Sequence, residues 1–114
     1  MIKFISHIVD NMDKINNMDY CELLNKECYF CIIVDNKVFY EEPLFPIYEF
    51  LYCYAKWDKT KDFKYVTIES DDNPMITFKK VKNGWLISSP WERFKCNKIF
   101  TLSELINGIE SLIA

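Results

Sequence analysis

The sequence predicts a single α+β domain over residues 1–114, an antiparallel sheet of about five to six strands with two to three helices packed on it and a helix last. Three observations carry that reading. Short runs rich in β-branched and aromatic residues are separated by Asx and Gly turn residues, as in "CYFCIIVDNKVFYE" and "MITFKKVKNGWLIS". Two other stretches, after Pro46 and after Thr101, place apolar residues at helical spacing. Half of the residues are hydrophobic and 17% are aromatic, so one core can form without a metal or a disulfide.

The N-terminal stretch admits two forms. "KFISHIV" suits a strand, whereas Phe4, Ile5, Ile8, Val9, Met12 and Ile15 also fall on one helical stripe, and periodicity leans to the helix. Asp19 and Glu22 stand at capping-box spacing before Leu23 and Leu24, which predicts a short helical turn. "CYFCIIV" and "KVFYE" then form a hairpin about Asp35-Asn36, because Asp and Asn tolerate the positive φ of a tight turn. The first of these strands is apolar on both faces and is expected to be central or covered on both sides.

After Pro43, "FPIYEFLYCYAKW" reads as a helix with Pro46 in its first turn and Ile47, Phe50, Leu51 and Tyr54 facing the sheet. Lysines and aspartates from Trp57 to Asp62 end it. Three strands follow: "FKYVTIE" with Val66 and Ile68 inward, "MITFK" with Ile76 and Phe78 inward, and "GWLIS" after an Asn83-Gly84 turn. "RFKC" has the makings of a further strand. Thr101 and Glu104 form a capping box for the last helix, whose apolar stripe is Leu102, Leu105, Ile106, Ile109, Leu112 and Ile113.

Composition excludes several functions. Two glycines leave no room for a glycine-rich phosphate loop, and a net charge of -3 without a basic face disfavours nucleic acid. The longest apolar runs, "YFCIIV" and "FLYCYA", are far short of the ~20 residues a membrane helix needs. No secretion signal is visible and five cysteines are an odd number, so the expectation is a cytoplasmic protein using cysteines as small hydrophobes. Abundant Ile, Lys and Asn beside one Arg suggest an AT-rich, bacterial coding sequence.

Chemistry-bearing groups are sparse. Cys28-x-x-Cys31 has zinc-knuckle spacing, but residues i and i+3 of a strand point to opposite faces, and no second pair exists. A cysteine nucleophile would have to recruit His7, the one histidine. No metal, cofactor or catalytic residue is therefore expected. The acid pairs Glu41-Glu42 and Asp71-Asp72 read as solvent-exposed, either merely solubilising or steering a basic partner. Tyr48 and Tyr52 lie off the buried stripe of their helix, either exposed for a partner or covered by the N-terminal segment.

The stretch "GWLISSPWERF" holds two of the three tryptophans. Pro90 stops its strand, and Trp91 and Phe94 are expected to fold back toward the final helix. Trp91 and Arg93 remain the two positions there available to a partner.

The order "FYEEPLFPIYEFLYCYAKW", "FKYVTIESDDNPMITF", "GWLISSPWERF" and "LSELINGIESLI" is similar to a family of small bacterial proteins resembling the immunity partners of polymorphic or contact-dependent toxins. The positions carrying it are Glu42-Pro43, Trp57, Asn73-Pro74, Gly84-Trp85, Trp91 and Phe94, over roughly residues 38–113. The resemblance implies a cytoplasmic, non-enzymatic protein that covers a cognate toxin domain, with no catalytic residue carried over. In that expectation Glu41, Glu42, Asp71, Asp72, Trp91 and Arg93 contact the partner. The alternative is a small-ligand or regulatory domain with a pocket between sheet and helices, lined by Trp85 or Trp91.

Overall fold

The computed structural model describes residues 1–7, 10–68 and 70–113. Strand β1 (Ile2–Ser6) opens the chain, followed by two short helices, α1 (Met12–Asn16) and α2 (Tyr20–Asn25). The hairpin β2 (Cys28–Val34) and β3 (Lys37–Phe45) leads into α3 (Ile47–Ala55). Strands β4 (Phe63–Tyr65), β5 (Ile76–Val81) and β6 (Gly84–Ser88) precede α4 (Leu102–Glu110). The six strands are divided between two antiparallel sheets, β1-β2-β3 and β4-β5-β6. The α+β class and the final helix are as the pattern requires.

The first sheet is built on β2, which pairs with both neighbours as its two-sided apolarity demands. Asp35 and Asn36 make its turn with φ of 49° and 69°. Two irregularities in the β2–β3 register matter. Ile32 pairs with Tyr40 and Ile33 with Val38, so Phe39 is an extra residue and both Phe39 and Tyr40 are buried. Tyr40 then packs toward Phe30 and Phe45, while Phe39 meets Phe94 edge-on with centroids 5.5 Å apart.

Helix α3 joins the two sheets. Its Phe50 lies 5.6 Å from Phe30 of the first sheet and 5.5 Å from Tyr65 of the second. Truncating such a ring to Ala typically costs about 3–5 kcal/mol. Trp57, just past the helix, packs against Phe63, Phe78 and Trp85 at 5.4, 5.8 and 5.3 Å. Helix α4 has the full capping box of Thr101 and Glu104, and Gly108 on it leaves the space in which Phe4 of β1 sits.

Several expectations are corrected. Residues 2–6 are a strand, with Ile2 and Phe4 inward and Lys3 and Ile5 outward, rather than part of a helical stripe; Ile8 and Val9 of that stripe lie outside the described residues. Strand β4 ends at Tyr65 and has the opposite phase to the one expected: Phe63, Tyr65 and Thr67 are buried, and Val66 and Ile68 are exposed. Stacking of Phe63 on Phe78, 5.1 Å apart, decides that phase. Val81 pairs with Gly84, so the hairpin loop is Lys82-Asn83, and Gly84 is in the strand with φ of 149°. A Cβ there would lie 2.4 Å from the Phe100 carbonyl oxygen, where Trp85 and Phe100 exchange backbone hydrogen bonds. "RFKC" forms no strand.

Tyr48 and Tyr52 are partly buried, with α1 and α2 laid against α3. Tyr48 donates to Asp10 at 2.9 Å and accepts from the Asp10 N–H. The N-terminal segment thus covers Tyr48.

Candidate functional site

Of the six residues singled out from sequence, Glu41, Glu42, Trp91, Arg93 and, through Trp91, Asp72 gather around β3, the edge strand of the first sheet, on its two faces. A tight turn after β6 places two of them. Ser89 is buried; its hydroxyl accepts from the Trp91 N–H at 3.1 Å, and Glu92 reaches back to the Ser89 N–H at 2.9 Å. The chain then lies against the edge of β3, where the Arg93 N–H donates to the Phe39 carbonyl at 2.8 Å. That contact, with Phe94 on Phe39, sends this segment to β3 rather than to the final helix.

On one face Glu41 pairs across the strand with Cys31. It is half-buried, and its carboxylate accepts from the Tyr29 hydroxyl and from Arg93 Nη2, both at 2.5 Å. The Tyr29 hydrogen bond, and after it Arg93, holds the Glu41 carboxyl below the usual carboxylate range. The Tyr29 phenol is correspondingly pushed up. Glu41 and Arg93, both expected to contact a partner, are joined to each other as an ion pair.

On the other face the i, i+2 alternation of β3 places Tyr40 and Glu42 on the same side. Together with Leu44, Phe45, Pro46, Tyr65, Thr67, Ser70, Met75 and Trp91 they line a slot of about 90 Å³. Asn73 shapes the far wall. Its side chain accepts from the Thr67 N–H at 3.0 Å and donates to the Thr67 and Ser70 carbonyls at 2.8 and 2.6 Å. Trp91 closes one end, 48% exposed, and its indole N–H donates to Asp72 at 2.8 Å. Leu44, 66% exposed, stands on the rim. Asp71 is exposed beside Asp72. Of the six, Glu42, Asp72 and Trp91 therefore share this side.

Tyr40 was not anticipated. It is 1% exposed, and its hydroxyl has no hydrogen-bond partner among the described residues. Burial, and after it the nearby Glu42 charge, pushes its phenol well above the ordinary value. Strand alternation puts Tyr40 two residues from Glu42, which is a readable signal; the unmet hydroxyl is not, since it depends on what the distant loop brings.

Elsewhere the side chains offer little chemistry. Among the described residues no cluster of three or more His, Cys, Asp or Glu is placed to hold a metal. Cys31 and Cys96 are buried, Cys28 lies 3.1 Å from the Ser6 hydroxyl, and burial pushes the half-buried Cys53 thiol up to about 11. Cys21 is exposed, against the expectation that the cysteines are buried. A groove of about 450 Å³ lies between β1 and α4, lined by neither Trp85 nor Trp91. No helix among the described residues is long and apolar enough to cross a membrane.

Neither the curated proteins nor the solved structures contain a match to the chain. Residues 3–114 match the model of DUF7878, a domain of unknown function, and the chain belongs to that family.

Proposed function

We propose that this chain is a non-enzymatic protein-binding module, an immunity protein that neutralises a cognate bacterial toxin by steric and electrostatic occlusion. One observation carries the reading: Trp91 is half-exposed yet held in place by Asp72 at the mouth of an apolar-lined slot, beside exposed Leu44. A fixed aromatic in a partly desolvated setting is how interface anchors are built, since little side-chain entropy remains to be lost on binding. Glu42 and Asp72 put negative charge beside it, with exposed Asp71 next to Asp72 in the chain, which favours encounter with a basic cleft. The toxin resemblance supplies the partner class. Glu41 and Arg93 support the face from behind.

The test is co-expression with each toxin-like domain found among the neighbouring genes. The chain should restore growth and co-purify with one such domain, and Trp91→Ala should weaken the complex by about thirtyfold, as loss of an interface anchor does. Growth that stays arrested, with no complex formed, overturns the proposal.

A ligand-binding reading has less support. The slot under Trp91 holds about 90 Å³, against roughly 300–1,000 Å³ for pockets that enclose a drug-sized molecule. The groove between β1 and α4, at about 450 Å³, is large enough, but neither Trp85 nor Trp91 lines it.

A further inference from the structure

We infer that the slot between β3 and the 67–75 loop receives the side chain of a lysine presented by a protein partner, its ammonium group meeting the Tyr40 hydroxyl and the Glu42 carboxylate. The inference rests on the protein-binding reading above and names the chemistry that reading leaves open.

Three features select this occupant. The first is the Tyr40 hydroxyl, buried and without a partner among the described residues, in the wall of the slot. A buried phenol left unpaired costs about 1–3 kcal/mol, so an occupant that donates to its oxygen recovers part of that cost. The second is charge. Among the ten described lining residues Glu42 is the one carboxylate and none is basic, while Asp72 adds a second negative group at the Trp91 end. An anion is repelled there, and a neutral acceptor satisfies Tyr40 but leaves Glu42 without a counter-charge. A cation with several N–H donors bonds both oxygens.

The third is shape and lining. Phe45, Tyr65, Trp91, Leu44, Pro46 and Met75 make walls suited to a methylene stem, and aromatic faces attract ammonium groups. The slot takes a few water-sized groups, which fits a slender alkyl chain ending in a compact charge. Arginine is a poorer match, because its planar fork is best used by two coplanar acceptors, whereas the ammonium has three freely rotating donors.

The measurement is the indole N–H signal of Trp91 in the NMR spectrum of the intact chain, assigned by its loss in Trp91→Phe. The probe is lysine blocked at both ends as N-acetyl-lysine methylamide. It should move that signal saturably in the millimolar range, and N-acetyl-norleucine methylamide, which keeps the alkyl stem but lacks the ammonium group, should not. Glu42→Gln and Tyr40→Phe should each weaken the lysine probe about tenfold. Tyr40→Phe should keep the fold, because the hydroxyl it removes has no partner to lose. Equal binding of norleucine, no response to lysine, or a response that survives both substitutions overturns the inference. A free amine such as putrescine binding more tightly than blocked lysine also overturns it, by assigning the slot to a small molecule. If the toxin complex is weakened by Trp91→Ala but untouched by Glu42→Gln, the protein-binding reading stands and the lysine assignment falls.

Discussion

Trp91 donates its indole N–H to Asp72 across 2.8 Å, tying the turn after β6 to a loop 19 residues earlier in the chain. The two residues were both marked from sequence, as an aromatic anchor and as a steering charge. In the structure they are one device, because the acid orients the ring. A reversal of both Asp71 and Asp72 to Lys would remove charge and anchor together, so the acids must be separated.

Asp72→Ala should free Trp91, and Asp71→Ala should not. The expected result is greater quenching of tryptophan fluorescence by acrylamide in Asp72→Ala alone, with Trp91→Phe identifying the contribution of that ring. Stability should move by no more than about 0.5 kcal/mol, since the bond is exposed. Equal quenching in the two variants would show that the hydrogen bond does not hold the ring.

The Glu41 pair makes a pH prediction. Its carboxyl is held below the usual range by Tyr29 and then by Arg93, so the folded state favours the ionised form. That contribution is fully present above the ordinary carboxylate value near 4.5 and is lost as pH falls through the lowered one. Asp35 behaves alike: Lys98, and after it the terminal amine, lowers it to about 2. Urea midpoints measured from neutral pH downward should therefore fall more steeply in the native chain than in Glu41→Gln. The two curves should converge at the acid end. Parallel curves would mean that Glu41 contributes nothing pH-dependent.

The parts of the fold that were legible are those decided within a few residues. The Asp35-Asn36 hairpin and both capping boxes follow from local hydrogen-bonding chemistry, and each forms as read. The phase of β4 shows what local patterning leaves open. Phe63, Tyr65 and Thr67 alternate with Lys64, Val66 and Ile68, and both sets contain large apolar residues. The lysine on the second set was a signal for the observed phase, but the stacking of Phe63 on Phe78 is what decides it. The N-terminal stripe misled for a different reason. Phe4 and Ile15 belong to separate elements, so one helical wheel was drawn across a strand and a helix.

The site was legible as a set of residues and not as an arrangement. Glu41 and Glu42 point to opposite faces, as alternation requires. Only the return of the 89–94 segment over the edge of β3 pairs one with Arg93 and leaves the other beside Tyr40. That return depends on the Arg93 N–H bonding the Phe39 carbonyl across 54 positions of chain, a contact no pattern in either segment announces.

Glu49 stands in the first turn of α3, and it is 2% exposed. Its two carboxylate oxygens accept from Tyr20 at 2.7 Å and Tyr65 at 2.6 Å, joining α2 to α3 and β4. Burial, and after it this hydrogen bond, pushes the Tyr65 phenol well up. A buried carboxylate is tolerated only while its donors remain. Glu49→Ala should therefore lower unfolding stability by about 2–4 kcal/mol, through loss of an acceptor shared by two phenols. Glu49→Gln keeps one acceptor oxygen and should cost about 1 kcal/mol. The donors should rank by burial: Tyr65→Phe strips a donor from the buried side of the carboxylate and should cost more than Tyr20→Phe, whose ring is half in solvent. Urea unfolding of the four variants checks the order. If Tyr20→Phe is the more damaging, the carboxylate is satisfied from the solvent side, and the role assigned to Tyr65 is wrong.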